Sequence, residues 1–228
     1  ILHAYKAWGE ECVKRFNGMF AFALWDNCRK ELVLARDRYG IKPLYYMHTN
    51  DALIFGSEVK SILEYLPEKP GVDLLALNEY FSFQNILSDR TLFDGVRMLP
   101  PGHIMTVRAD TGEIQKQQSW DFDFSQESQA SEEELREELY HLIRQAVDRQ
   151  CVSDVPIGSY LSGGMDSGSI TALTASHFGR ISTFTGGFDL SEAHGRELQF
   201  DERELAEKMA SLFQTEHYEC VLHSGDLA

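Results

Sequence analysis

Val155-Pro156-Ile157-Gly158-Ser159-Tyr160-Leu161 runs directly into Ser162-Gly163-Gly164-Met165-Asp166-Ser167, and this stretch decides how the C-terminal part of the chain is read. An apolar run feeds two glycines, and the residues beyond them (Ile170, Leu173, Thr174, His177) have helical spacing. A strand that turns through glycine into a helix is a ready anion site. The helix N-terminus carries about half a positive charge and several N–H groups without intrahelical partners. Gly163 and Gly164 let the backbone approach a phosphate with no Cβ in the way, and Ser162 and Ser167 add hydroxyls on either side. No lysine follows the glycines, so the pattern is not GxxxxGK[ST]. A loop of this kind suits gripping a pyrophosphate better than passing on a γ-phosphate. It points to a reaction that splits ATP between its α- and β-phosphates and loads AMP onto a carboxylate.

Working outward from the loop, Ser131 and Glu134 form a capping-box pattern ahead of a helix over 132–150. Its apolar positions, Leu135, Leu139, Leu142, Ile143, Ala146 and Val147, predict one buried face. A strand over 156–161, a helix to Phe178, a strand over 181–188, a helix capped by Asp201 or Glu204 and running to Phe213, and a strand over 217–222 follow. This alternation predicts the start of an α/β doubly wound parallel sheet, with ligands at the carboxyl ends of its strands.

The N-terminal half has a different rhythm. A helix is expected over 1–15, its apolar face holding Ile1, Leu2, Tyr5, Trp8 and Val13, with Asn17-Gly18 ending it. Four short strands (19–25, 31–36, 44–48 and 52–55), separated by polar turns, suggest antiparallel meandering pairs. Short helices are expected over 58–65 and over 74–83, the latter capped by Asp73. Pro100-Pro101-Gly102 turns into a hairpin with strands over 103–108 and 113–120. Residues 121–131 (DFDFSQESQAS) have few large aliphatics and no period, and read as a linker between a domain over 1–120 and one over 132–228.

Ser162-Gly163-Gly164-Met165-Asp166-Ser167 resembles the SGGxDS signature of the ATP-pyrophosphatase superfamily. Phe16-Asn17-Gly18-Met19-Phe20-Ala21-Phe22-Ala23-Leu24-Trp25-Asp26, the run from Ala35-Arg36-Asp37-Arg38-Tyr39-Gly40 to Tyr46, and Phe55-Gly56-Ser57-Glu58 resemble class II glutamine amidotransferases. In that order the two halves are similar to the glutamine-hydrolysing asparagine synthetase family. The resemblance implies the C-terminal part of an α+β antiparallel sandwich followed by the N-terminal part of a pyrophosphate-loop synthetase domain. It implies ATP, aspartate and glutamine as small-molecule substrates, with Mg2+.

On this basis Ser162, Gly163, Gly164 and Ser167 hold the β- and γ-phosphates, while Tyr160, Leu161 and Gly186 line the nucleotide pocket. Gly186-Gly187 also reads as a plain strand-end turn, and Asp166 either binds Mg2+ or caps the following helix. The family's nucleophile is an N-terminal cysteine, whereas residue 1 here is Ile1, so no catalytic residue is assigned and the chain is expected to be a fragment cut at both ends. Arg36-Asp37 reads as a salt-bridged turn fixing two strands, with a place near the glutamine pocket as the alternative. Two rivals stay open. One is a related carboxylate-adenylating ligase, such as a β-lactam synthetase, with another acceptor. The other is a non-catalytic nucleotide-binding remnant.

Composition adds exclusions. The formal charge is −15 from 21 basic and 36 acidic residues. An acidic surface repels nucleic acid and anionic membranes, so neither is expected as a partner, while a homodimer stays open. Cys12, Cys28, Cys151 and Cys220 lack metal-ligand or redox spacing, and His217-x-x-Cys220 has no second half to make a zinc site. Scattered cysteines, with neither a signal segment nor a spanning apolar run, give a cytoplasmic expectation.

Overall fold

The computed structural model describes residues 1–190, 201–223 and 226. The chain divides into two compact units, Ile1–Gln126 and Glu127–Ala228.

The first unit opens with α1 (Leu2–Trp8) and a 3-10 helix (Gly9–Arg15). The expected single helix breaks because Gly9 takes a left-handed backbone (φ 58), which turns the chain and reseats the residues after it. Cys12 and Val13 are buried, whereas Ile1, Leu2 and Trp8 of the expected apolar face are exposed.

Strands β1 (Ala21–Asp26), β2 (Glu31–Arg36), β3 (Tyr45–His48) and β4 (Leu53–Gly56) come next. Then follow α2 (Val59–Tyr65), α3 (Leu74–Phe83), β5 (Arg97–Met98), β6 (His103–Arg108) and β7 (Ile114–Gln118). Asp73 caps α3 as expected, accepting from the N–H groups of Leu75 and Ala76.

The strands do not form one meander. They make two antiparallel sheets, ordered β1-β2-β6-β7 and β4-β3-β5. Val33, Leu34 and Ala35 of β2 and Ile104 and Met105 of β6 are buried on both faces. One face meets Cys12 and Val13, and the other meets Leu44, Tyr46 and Leu99 around the second sheet.

The split occurs at Arg36-Asp37. Asp37 accepts N–H bonds from Lys42 (3.0 Å), Ile41 (3.0 Å), Tyr39 (3.1 Å) and Phe20 (3.3 Å). Arg36 donates to the carbonyls of Gly40 (2.6 Å), Leu99 (2.7 Å) and Lys42 (2.8 Å). The pair is a turn-fixing knot, but its side chains bond backbone rather than each other. It turns the chain out of β2 and leaves the neighbouring edge to β6. At the end of this unit Trp120 and Phe122 pack ring to ring at 4.7 Å, Phe122 stacks on Phe124 at 5.7 Å, and Tyr39 joins Trp120 at 5.2 Å.

The second unit holds α4 (Glu132–Gln150), β8 (Gly158–Tyr160), α5 (Met165–Phe178), β9 (Ser182–Phe188), α6 (Arg203–Phe213) and β10 (Glu216–Leu222). Its three strands are parallel, in the order β10-β9-β8. Helix α5 touches β8, α6 touches β9 and β10, and the two helices touch each other. They cover the face carrying Thr183, Thr185 and Gly187.

The opposite face bears a row of aromatic rings in register, Tyr160 beside Phe184 beside Tyr218, and all three are exposed. A doubly wound sheet needs helices on both faces. A strand order running one way with same-handed crossovers places its helices on one side, so the described residues form a parallel sheet with α5 and α6 on one face, and the doubly wound arrangement is not seen among them.

Helix α4 also departs from expectation. Its capping box is present, with the Ser131 hydroxyl accepting from Glu134 N and the Glu134 carboxylate accepting from Ser131 N. Of the apolar face, however, Val147 alone is buried, and Leu135, Leu139, Leu142 and Ile143 are exposed. The helix joins the unit through its last turns, where Val147 and Cys151 face α5. No described helix is long and apolar enough to cross a membrane.

Candidate nucleotide site

Strand β8 is short, and its carboxyl end is tied into the sheet before the glycines begin. Leu161 N–H donates to the Phe184 carbonyl (2.9 Å), and the Leu161 carbonyl accepts from the Thr185 hydroxyl. The Leu161 side chain is buried against Ala206 and Ala210 of α6. Leu161 therefore offers a ligand only backbone, and only where the sheet has not used it.

Beyond Leu161 the chain reverses sharply. Gly163 takes φ 82, a left-handed value that residues with a Cβ adopt at a cost of about 1–2 kcal/mol. Gly164 is the N-cap of α5 and supplies no side chain to the helix's first amides. The first N–H groups of α5 thus lack intrahelical partners and face outward from the carboxyl end of the sheet.

Ser162 and Ser167 are brought together across this bend. Their hydroxyl oxygens lie 3.0 Å apart, Ser167 Oγ accepts from Ser162 N–H (3.2 Å), and Ser162 Oγ accepts from Gly164 N–H at 3.4 Å. Two hydroxyls and the amides of Ser162 and Gly164 thus meet in one small space, where Ser167 Oγ also lies 3.3 Å from the Gly164 carbonyl as a donor. An anion entering there would replace weak mutual bonds with charge-assisted ones.

Asp166 lies in the first turn of α5 and is exposed. Of the two roles open to it, capping is not seen. The cap position belongs to Gly164, and no hydrogen bond or ion pair to the Asp166 carboxylate occurs among the described residues. An acidic residue in the first turn suits the helix dipole without a cap bond.

Gly186 follows Thr185, whose hydroxyl is tied to Leu161, so it sits beside the start of the loop on the exposed face of β9. Tyr160 shares that face one strand over, in the aromatic row. Gly187 points the other way, and the arginine of α6 fills its space: a Cβ there would meet Arg203 Cδ at 2.6 Å.

Three contributors were invisible in the local sequence: Thr185, Arg203 and Leu205. Each reaches the loop or its neighbouring strand end from a distant position in the chain: Thr185 meets Leu161, Leu205 meets Gly163 and Arg203 meets Gly187. Asp201 was expected as a helix cap. It instead accepts from the Arg203 amide (3.2 Å) and clamps the Arg203 guanidinium through Nε (2.8 Å) and Nη2 (2.7 Å). Those side-chain bonds hold its carboxyl at about 2. Glu204 pairs with Lys208.

Other residues are placed away from chemistry. Burial raises the Cys12 and Cys151 thiols, the reverse of what a nucleophile requires. His217 bonds Thr183 (3.0 Å), and it points to the opposite face of β10 from Cys220 by strand alternation. Among the described residues no group of three or more His, Cys, Asp and Glu is placed to hold a metal ion. A concavity of about 440 Å3 lies between α4, α5 and the start of β8. Its apolar lining and its place at the amino end of the strand set it apart from the loop.

A family described as glutamine amidotransferase domain matches residues 1–120, and one described as asparagine synthase matches residues 138–228. Asparagine synthetase [glutamine-hydrolyzing] 3 of Bacillus subtilis is 36% identical over 100% of this chain and 38% of its own length. Asparagine synthetase [glutamine-hydrolyzing] 1 of the same organism is 36% identical over 83% of this chain and 29% of its own length. Putative asparagine synthetase [glutamine-hydrolyzing] 2 of Methanocaldococcus jannaschii is 32% identical over 96% of this chain and 41% of its own length. The chain thus spans well under half the length of these relatives. Among solved structures, a glutamine phosphoribosylpyrophosphate amidotransferase from B. subtilis covers 78% of this chain, and is itself covered to 34%, at 14% identity and a TM-score of 0.32. With a glutamine amidotransferase match over its first half and an asparagine synthase match over most of its second, the chain belongs to the glutamine-hydrolysing asparagine synthetase family.

Proposed function

We propose that the protein takes part in glutamine-dependent asparagine synthesis. ATP, aspartate and glutamine would give asparagine, glutamate, AMP and diphosphate through a β-aspartyl-adenylate. Residues 1–120 are the C-terminal part of the amidotransferase domain in this reading. Residues 121–131 are the linker, and residues 132–228 are the N-terminal part of a pyrophosphate-loop synthetase domain.

The physical need is clear. A carboxylate does not react with ammonia unless one oxygen becomes a good leaving group, and adenylation makes it one. The protein must then stabilise charge on the departing pyrophosphate and hold the reactants in line.

The observation that carries the reading is the bend at 162–167. Its left-handed glycine, paired serine hydroxyls and open helix N-terminus stand at the carboxyl end of a parallel strand. Ser162, Gly163, Gly164 and Ser167 would hold the β- and γ-phosphates. Gly186, Tyr160 and the backbone of Leu161 would flank the nucleoside. Asp166 would hold Mg2+, a hard ion that takes one or two carboxylates together with phosphate oxygens and water. An exposed carboxylate with no protein partner, beside the phosphate seat, fits that need. When bound, the ion would offset phosphate charge.

The test is aspartate-dependent ATP–pyrophosphate exchange by the protein that contains this chain. Ser162→Ala or Asp166→Asn should lower exchange by about 10²-fold and leave glutamine hydrolysis intact. Equal loss of both activities would make the bend a structural turn.

A further inference from the structure

The first turns of α6 fill space left by glycines of the loop, of α5 and of the neighbouring strand. A Cβ on Gly163 would lie 2.8 Å from Leu205 Cγ and 2.9 Å from Leu205 Cβ. On Gly187 it would meet Arg203 Cδ at 2.6 Å, and on Gly168 of α5 it would meet Met209 Sδ at 3.0 Å. Side chains two and four residues apart on one helix thus occupy the missing side-chain positions of three glycines. Gly163 is the one with a left-handed backbone (φ 82). Glycine has more conformations open to it than any other residue, so an unpacked Gly163 would not stay in one. Leu205 restricts that freedom from outside. The turn carrying Leu205 is itself braced, because Asp201 binds both the amide and the guanidinium of Arg203.

Resting on the phosphate-loop reading above, we propose that Leu205 is a positioning residue for the pyrophosphate. It acts through Gly163, holding the bend in the conformation that lets the Ser162 and Ser167 hydroxyls and the α5 amides converge. The Arg203–Asp201 pair holds Leu205 in place. Leu205 makes no bond to the ligand. Its removal leaves the donors present but no longer fixed, so binding must order them.

The measurement is isothermal titration of the 228-residue chain with pyrophosphate and magnesium, alongside thermal melting, for the native chain, Leu205→Ala and Leu205→Met. Leu205 is half exposed, so truncation leaves the fold intact and the melting transition cooperative. Leu205→Ala should weaken pyrophosphate about tenfold, and Leu205→Met, which refills the space over Gly163, should recover native affinity within about twofold. Native affinity in Leu205→Ala, or a Met variant as weak as the Ala variant, overturns the role of Leu205 and leaves the phosphate loop standing. A native chain that takes up no pyrophosphate overturns the loop reading, and the role of Leu205 with it.

Discussion

Asp37 shows how one residue can organise half a molecule. Burial by itself would raise its pKa, but four backbone N–H donors outweigh that and lower it. A carboxyl with a depressed folded-state pKa contributes stability above its unfolded pKa, about 3.9, and loses it as pH falls through the folded value. Asp37→Asn puts an amide group among converging N–H donors and should cost about 3 kcal/mol at neutral pH. In urea melts the gap between native and variant should be widest at pH 7 and narrow below about pH 4. A gap that persists unchanged into acid would mean that charge is not what holds the knot. At this scale the sequence was informative about type and silent about partners. Ser-Gly-Gly-x-Asp-Ser announced a glycine turn from a strand into a helix, and the chain makes that turn at 162–167. Thr185 and Leu205, which meet Leu161 and Gly163 from other elements, carry no local signal, because those contacts exist only once β9 and α6 have docked.

Among the elements, those with strong local chemistry were legible. Ser131 with Glu134 starts α4, Asp73 starts α3, and the boundaries of β2 and β6 match their apolar runs. Pairing was less legible. That β2 meets β6 rather than β3 follows from the Arg36-Asp37 knot and from side chains buried on both faces, and both are tertiary facts. The short β5, two residues long, has no periodicity to read.

Helix α4 illustrates the limit of amphipathic reasoning. Its period predicts an apolar stripe, and the stripe is there, but periodicity does not say what covers it. In the described unit Leu139 is 58% exposed and Val147 8%. Leu139→Gln should therefore change stability by less than about 0.5 kcal/mol, while Val147→Ala should cost about 2 kcal/mol. Thermal melts of the two variants check this. Equal destabilisation would mean that the stripe is packed in solution.

For the whole molecule, the net charge of −15 sets a background field against a phosphate ligand. A seat made of amides, hydroxyls and a helix terminus binds an anion without needing net positive charge nearby. Raising ionic strength from ~10 to ~100 mM shortens the Debye length from about 30 to about 10 Å and screens the distant carboxylates more than the contacts in the bend. ATP affinity should hold or rise over that range. A steep fall would indicate a site built on exposed lysines and arginines instead.

The most direct measurement is a crystal structure of the chain with ATP and magnesium. The β- and γ-phosphate oxygens should lie within hydrogen-bond distance of the Ser162 and Ser167 hydroxyls and the amides opening α5, with the 3.0 Å contact between those two serines broken. Nucleotide bound elsewhere, with that contact intact, would contradict the account.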